Sequence, residues 1–360
     1  MMKERVERVR AALAAQGLDA LFVIKAENRR YLSGFTGSAG VLIITAEEAL
    51  LATDFRYYEQ VKLQAPDFTL VEVTGPVVKT LAEQVERLGL RRVGFESQTL
   101  TVDAYHEWQT EMPSVEWVPT KNIVESLRMV KDAQEMEAIT EAVRIADEAM
   151  MHIMEWLRPG VTEREIAWEL EVYMRTHGAE KPSFTTIVGS GPNGAMSHAI
   201  ASERPVAIGD PIVIDMGAMV CGYCSDLTRS FCLGEASEEY LAIWHTVFEA
   251  QKAAEAAVRP GLTGVALDGV ARQVIEKAGY GDKFGHGLGH GVGLEIHESP
   301  SVGRLSEDTL AEGHVVTIEP GIYLPGWGGV RIEDMVVVTG DGCRILTQSP
   351  KMPVIPRSRG

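Results

Sequence analysis

Four carboxylates in this chain occupy places where a carboxylate is expensive. Asp215 lies in Val213-Ile214-Asp215-Met216-Gly217 and Asp226 in Cys224-Ser225-Asp226-Leu227-Thr228. Further on, Glu319 lies in Val315-Val316-Thr317-Ile318-Glu319-Pro320-Gly321, and Glu333 in Val330-Arg331-Ile332-Glu333-Asp334-Met335-Val336. Each interrupts an apolar, strand-like run, and burying such a charge is costly unless it is paired or bound to a cation. Between the two pairs the run from Phe284 to Glu298 reads FGHGLGHGVGLEIHE, with His286, His290 and His297 set among alternating glycines. Glycine at that density disfavours a regular helix or strand, and it lets the backbone approach a ligand or take positive φ. Neutral imidazole is the commonest side-chain metal ligand. Four carboxylates and His290 together make an oxygen-rich set with one nitrogen. Such a set suits two divalent cations of the Mn, Co, Zn or Fe kind that share carboxylates. Any one of these aspartates by itself would read as a strand-end turn or an ion pair; it is the joint occurrence that points to metal.

The order Asp215, Asp226, His290, Glu319, Glu333, with the glycine-histidine run and Ile318-Glu319-Pro320-Gly321-Ile322-Tyr323, resembles the pita-bread metallopeptidases. Within them it is similar to the Xaa-Pro branch, prolidase and aminopeptidase P. Near the N-terminus, Asn28-Arg29-Arg30-Tyr31-Leu32-Ser33-Gly34-Phe35-Thr36-Gly37-Ser38-Ala39-Gly40 resembles the N-terminal domain of the same branch. The likeness spans nearly the whole chain. It implies two divalent metal ions, manganese first among them, with Asp226 and Glu333 shared between the ions. Asp215 would complete one ligand set, and His290 with Glu319 the other. It also implies that Glu319 accepts the proton of the attacking water. His198 and His297 match positions that contact the substrate carbonyl, and His286 matches one that lines the pocket. The substrates it implies are small proline-containing peptides, and the assembly a homodimer. An Xaa-Pro bond is a tertiary amide with no N–H and a restricted conformation, which suits a dedicated peptidase.

Prolidase and aminopeptidase P differ in what lies beyond the proline. A dipeptidase needs a cation for the substrate's C-terminal carboxylate, and Arg304 is the candidate grip, although Ser301 stands where some prolidases place an arginine. The reading leans to prolidase, with aminopeptidase P as the alternative. A catalytically inactive peptide-binding relative is the alternative of another class, and the intact set of five ligand positions speaks against it. Arg331, two residues before Glu333 and on the same strand face, is read as orienting that carboxylate or Tyr323.

The elements that must carry these residues follow from periodicity and punctuation. Helices are predicted over Lys3 to Gln16, Phe55 to Gln64 and Val77 to Leu88, and strands over 20–24, 41–45, 50–54, 92–96 and 115–118. This pattern makes residues 1–125 a small α/β domain, assigned to substrate gating and dimer contacts. A long amphipathic helix is predicted to open at Ser126 and reach Leu157. Arg158-Pro159-Gly160 stops it, and Thr162 with Glu165 reads as a capping box starting another helix to about His177. Two more helices, Ser237 to Val258 and Thr263 to Ala278, flank Arg259-Pro260-Gly261. The expected class is α+β: a pita-bread catalytic domain over 126–360 behind a creatinase-like N-terminal α/β domain. Pro350, Pro353 and Pro356 predict an extended tail with no further element.

Composition sets the outer bounds. With 45% hydrophobic and 24% charged residues, the 360-residue chain has the balance of a globular protein with more than one core. A formal charge of −17 argues against a nucleic-acid or anionic-membrane partner. The charged first ten residues lack the apolar core of a secretory signal, so a cytoplasmic location is expected. Four cysteines are too sparse for a disulfide scaffold. Cys221-Gly222-Tyr223-Cys224 reads as a turn between strands, away from the helix N-terminus that activates redox thiols.

Overall fold

The computed structural model describes residues 2–356. The chain divides between Arg128 and Met129 into two compact units.

The first unit runs α1 (Met2–Gln16), β1 (Ala20–Val23), α2 (Ala26–Ser33), β2 (Val41–Thr45), β3 (Ala49–Asp54), α3 (Tyr58–Gln64) and β4 (Thr69–Val73). It continues with α4 (Val77–Leu88), β5 (Arg92–Glu96), α5 (Val102–Glu111), β6 (Glu116–Thr120) and α6 (Ile123–Arg128). The six strands form one mixed sheet in the order β4-β3-β2-β1-β5-β6. Every residue of β1 and β2 is buried, as expected for central strands covered on both faces. One face packs an aromatic cluster in which Phe22 meets Trp108 and Trp117 edge to face at 5.6 and 5.5 Å. Helices α2 and α5 escape the periodicity analysis. Only Trp108 of α5 is buried, so that helix carries almost no apolar stripe. In α2 the buried set includes the polar Asn28 and Arg29.

The second unit is built twice over. Its first half runs α7 (Ala133–Trp156), α8 (Glu163–Thr176), β7 (Lys181–Pro182), β8 (Ile187–Ser190), β9 (Pro211–Met216), β10 (Ala218–Val220), β11 (Tyr223–Cys224) and β12 (Leu227–Leu233). Its second half runs α9 (Glu238–Ala257), α10 (Gly264–Lys277), β13 (Gly289–Gly291), β14 (Glu298–Val302), β15 (Val315–Ile318), β16 (Gly321–Leu324), β17 (Gly328–Arg331), β18 (Asp334–Val338) and β19 (Cys343–Ile345). In each half a helix pair precedes a sheet that is antiparallel apart from the parallel edge strand β20 of the first half, Val354–Ile355. The sheets are ordered β20-β12-β9-β8 and β14-β13-β15-β18-β19. The repeat reaches individual bonds. After Arg158-Pro159-Gly160, the N–H groups of Gly160, Glu163 and Arg164 donate to the carbonyls of Val206, Arg204 and Ser202. After Arg259-Pro260-Gly261, those of Gly261, Gly264 and Val265 donate to Leu310, Asp308 and Ser306.

Two expectations need correction. No helix runs unbroken from Ser126 to Leu157. Lys131 donates its N–H to Gly313 and Val130 bridges His314, so the chain is extended there, and Asp132 caps a fresh helix through a capping box with Glu135. The tail is not bare either, because β20 pairs in parallel with β12. Its prolines permit this because they flank the pairing residues. The capping box of Thr162 and Glu165 is present, and Cys221 and Gly222 form the tight turn between β10 and β11 with φ of 47 and 76°.

Candidate metal centre

The site occupies two antiparallel ladders, one from each half. Strand β9 pairs with β12 so that Asp215 lies opposite Thr228, and Asp226 directly precedes β12. Strand β15 pairs with β18 so that Ile318 lies opposite Asp334, which places Glu319 just after one strand and Glu333 just before the other. Within each pair, 215 with 226 and 319 with 333, the hairpin register brings the two carboxylates to the same end of their ladder.

Ligand atoms of Asp226, His290 and Glu333 all lie within 4.8 Å of one another. Glu319 reaches the same group, its Oε1 lying 3.3 Å from His290 Nε2. Asp215 lines the same cavity but is held from the side, with Oδ2 accepting from Arg331 Nη2 at 2.6 Å. Gly289 and Gly291 of the histidine run serve packing. None of the glycines from Gly285 to Gly293 has positive φ, and β13 is itself a short strand. A Cβ at Gly289 would stand 2.0 Å from the Thr317 carbonyl oxygen, and one at Gly291 would stand 2.4 Å from that of Ser299. Neighbouring strand backbones therefore claim the space that the sequence reading had reserved for a ligand.

Burial and mutual repulsion set the electrostatics of the cluster. Burial, and then repulsion from Glu333, Asp215 and Glu319, pushes the Asp226 carboxyl well above its ordinary pKa. Burial, and then Glu319 and Asp215, does the same to Glu333. Burial also raises Asp215, against the opposing pull of Arg331. Glu319 behaves differently: burial opposes its charge, but the hydrogen bond to His290 and that ring's charge prevail and hold it at about 2. His290 is raised: burial, the largest single effect, opposes its charge, but the bond to Glu319, that carboxylate's charge and the Gly291 carbonyl together prevail. Asp215 Oδ1 is buried without a hydrogen-bond partner. An oxygen-rich set with an orphaned carboxylate oxygen and carboxylates crowded against one another fits divalent cations. Their binding would displace the protons that crowding otherwise retains.

The remaining residues surround this cluster. A cavity of about 530 Å³ is lined by all five residues together with His198, His286, His297, Arg331, Phe184, Ile187, Ile200 and Ile296. The His290 and His297 rings meet edge to face at 4.3 Å. Burial lowers the His297 and His286 pKa values, favouring neutral imidazoles. His286 Nε2 lies 2.9 Å from the Tyr323 hydroxyl, which in turn accepts from Arg331 Nη1 at 2.8 Å. Arg331 thus orients Asp215 and Tyr323. Its other expected partner, Glu333, instead accepts from Thr228 Oγ1 at 2.7 Å. Arg304 is not in the cavity lining. It borders an adjoining open groove and donates to the Phe284 carbonyl at 3.1 Å.

Sequence reasoning missed the residues that hold the candidate ligands. Thr317 Oγ1 accepts from the His290 N–H and donates to Glu319 Oε1, both at 3.1 Å. Arg229 donates to the Glu333 carbonyl at 2.5 Å and to Asp334 Oδ1 at 2.8 Å. The Asp268–Arg272 pair grips the histidine run, Arg272 donating to the carbonyls of Phe284 and His286 and Asp268 accepting from the Leu288 N–H. The available signal was polarity inside strands: Thr228, Arg229 and Ser230 interrupt β12, and all seven of its residues are buried.

A pseudo-symmetric pair of helix-and-sheet halves enclosing a carboxylate-rich centre defines a two-domain metallopeptidase. The chain belongs to Metallopeptidase family M24, whose pattern matches residues 137–340, while residues 5–130 match the Creatinase/Prolidase N-terminal domain. The expected pita-bread fold is thereby met, and family membership implies divalent metal ions. The chain is 43% identical to the solved Xaa-Pro dipeptidase of Bacillus anthracis, with a TM-score of 0.96 over 98% of this chain and 99% of that one. It is 38% identical to the Xaa-Pro dipeptidase of Pyrococcus furiosus over 97% of this chain and 99% of the relative. An X-Pro aminopeptidase from Thermotoga maritima is 40% identical, with a TM-score of 0.88 over 94% of this chain and 98% of that one. Among the described residues, no helix is long and apolar enough to cross a membrane.

Proposed function

We propose that the chain is an Xaa-Pro dipeptidase, a prolidase, acting on small proline-containing peptides with two divalent ions, manganese foremost. The observation that carries this reading is the convergence of Asp226, His290 and Glu333, with Glu319 and Asp215 beside them, in one cavity that also presents three further histidines. The proposed metal ligands are Asp215, Asp226, His290, Glu319 and Glu333. The cations, when bound, supply Lewis acidity and a water acidic enough to act near neutral pH.

The side chains do the rest. Glu319 takes the proton of the attacking water and passes it to the proline nitrogen as the C–N bond breaks. His198 and His297 donate to the oxygen that becomes negative as the carbonyl turns tetrahedral. His286, Tyr323 and Arg331 form a chain of hydrogen bonds along one wall and keep Asp215 in place. The apolar Phe184, Ile187, Ile200 and Ile296 offer a surface for the pyrrolidine ring.

One observation favours a second reading. The cavity's own arginine, Arg331, is committed to Asp215 and Tyr323, and Arg304 borders the adjoining groove, which leaves room for an aminopeptidase P that tolerates longer peptides. Turnover of Ala-Pro against Ala-Pro-Ala by the manganese-loaded protein tests both. Dipeptide cleavage is expected, and its absence with tripeptide cleavage intact would transfer the assignment. A cytoplasmic homodimer, with residues 1–125 supplying gating and dimer contacts, belongs to the same proposal. A monomeric mass by light scattering would remove the dimer from it.

A further inference from the structure

Glu163, the first residue of α8, is fully buried, and its carboxylate lies outside the metal cavity. Five donors converge on it. The Ser190 N–H and Oγ reach Oε1, both at 2.7 Å, and the Ser202 N–H and Oγ reach Oε2 at 3.1 and 2.6 Å. Asn193 Nδ2 spans both oxygens at 3.2 and 3.0 Å. Ser190 ends β8, and Ser202 lies four residues beyond His198. One carboxylate therefore ties together the two limbs of the loop that carries His198 into the cavity. On its other side the loop is held by Arg331 Nη1, which donates to the Ser197 carbonyl at 3.3 Å.

The internal repeat shows that the helix position need not supply this tie. The position equivalent to Glu163 in the second half is Gly264, which makes the same backbone bond to the returning limb. A Cβ there would stand 2.4 Å from the Ser301 carbonyl oxygen and 2.6 Å from Ser306 Oγ, so no side chain fits, and that half ties its limbs from the loop itself: Asp308 Oδ2 accepts from the Ser301 N–H at 2.8 Å and Ser306 Oγ donates to the Ser301 carbonyl at 2.6 Å. The architecture thus forms without a carboxylate on the helix, the second half using the half-buried Asp308 of the loop where the first uses the fully buried Glu163. A buried acceptor in the first half needs another reason, because burying it is costly unless every donor is in place.

We propose that Glu163 is a positioning residue for His198, clasping the base of the 190–202 loop so that the imidazole stands where the substrate carbonyl arrives. This rests on the role of His198 in the proposed peptidase, and it requires that Glu163 act through that ring and not through the metal. An amide at this position presents one acceptor and two donors to a ring of donors, so Glu163→Gln should loosen the loop while leaving the fold.

The test uses the full-length, manganese-loaded protein. For Glu163→Gln, kcat on Ala-Pro is expected to fall about ten- to a hundredfold, with KM moved less and metal content unchanged. Amide exchange over 190–202 should accelerate, and Glu163→Asp should recover part of the loss. In a His198→Ala background the same substitution should change kcat by no more than about twofold, since its target is gone. An equal fold-loss in both backgrounds, a loss of metal, or unchanged exchange in the loop would each overturn the proposal. Should Glu163→Gln fail to fold, Ser202→Ala removes one of the five donors and should show the same pattern at smaller amplitude; wild-type kcat and exchange there would also overturn it. If the unaltered protein leaves Ala-Pro intact, the peptidase reading fails on its own, and the exchange measurement still reports on the clasp.

Discussion

Replacing the same residue type in two settings tests how this fold carries charge. Arg229 is 2% exposed and spends its donors on Asp334, the Glu333 and Thr228 carbonyls and, through two nitrogens, the Ser349 carbonyl. Arg144 on α7 pairs with Glu141 and Glu148, but its side chain is 44% exposed. In Arg229→Met the aliphatic volume is nearly kept, while a fully buried carboxylate loses its guanidinium. Breaking a buried pair from one side costs about 3–5 kcal/mol. Asp334 would still hold Lys351, Thr347 and Gln251, which pulls the expectation towards about 3 kcal/mol. At roughly 2–4 °C per kcal/mol for a domain of this size, the melting temperature should drop by about 6–12 °C. Arg144→Met should cost below about 1 kcal/mol, because solvent already screens that pair. Thermal melts and urea titrations of the two variants, followed by circular dichroism, make the comparison. Equal and small shifts would refute the argument that burial decides the value of these pairs. Arg229→Met should also weaken metal retention, since the bond to the Glu333 carbonyl fixes the backbone of a proposed ligand.

Three further outcomes follow from the site. Asp226→Asn and His290→Ala should each abolish Ala-Pro hydrolysis and lower bound metal by elemental analysis; substantial activity in either would count against the ligand set. His198→Ala should lower kcat by about ten- to a thousandfold at unchanged metal content, and a parallel loss of metal would assign the ring to coordination instead. For the metal-stripped protein the sign of the pH dependence is set by Asp226 and Glu333, both raised well above ordinary carboxylates. Their folded forms bind more protons than the unfolded chain, so apoprotein stability should fall as pH rises from about 4 through the raised values. Glu319, lowered to about 2, contributes in the opposite direction and only at lower pH. Metal-loaded protein should instead gain stability over that range, as cations replace protons; melting curves from pH 4 to 8 with and without chelator would show whether the two slopes diverge.

Elements were legible where local chemistry punctuates them. Helix α4 and strand β5 have the expected bounds, and the Thr162 capping box is formed, because turn residues, caps and apolar period act within a few positions. The break before α7 was hidden. Ser126 to Asp132 continues a helical pattern, and what ends it is pairing of Val130 with His314, far along the chain. Strand β20 was hidden for the same reason: β12 supplies the partner edge, and the local prolines argued only for extension. The glycines around His290 were correctly singled out but wrongly explained, since their constraint comes from the Thr317 and Ser299 carbonyls.

The primary structure by itself determined which groups are candidates for the chemistry and in what order they come. A carboxylate in an apolar strand is anomalous wherever it lies, and four such positions with one histidine, in the order of a known pattern, identify a family without coordinates. Tertiary structure decided which group touches which. Arg331 meets Asp215 across 116 residues and Thr228 meets Glu333 across 105, distances in sequence that no local pattern encodes. The clasp of Glu163 on Ser190 and Ser202 belongs to the same class, because a buried acceptor is recognised by the donors that surround it, and strand register assembles those donors only in the folded chain.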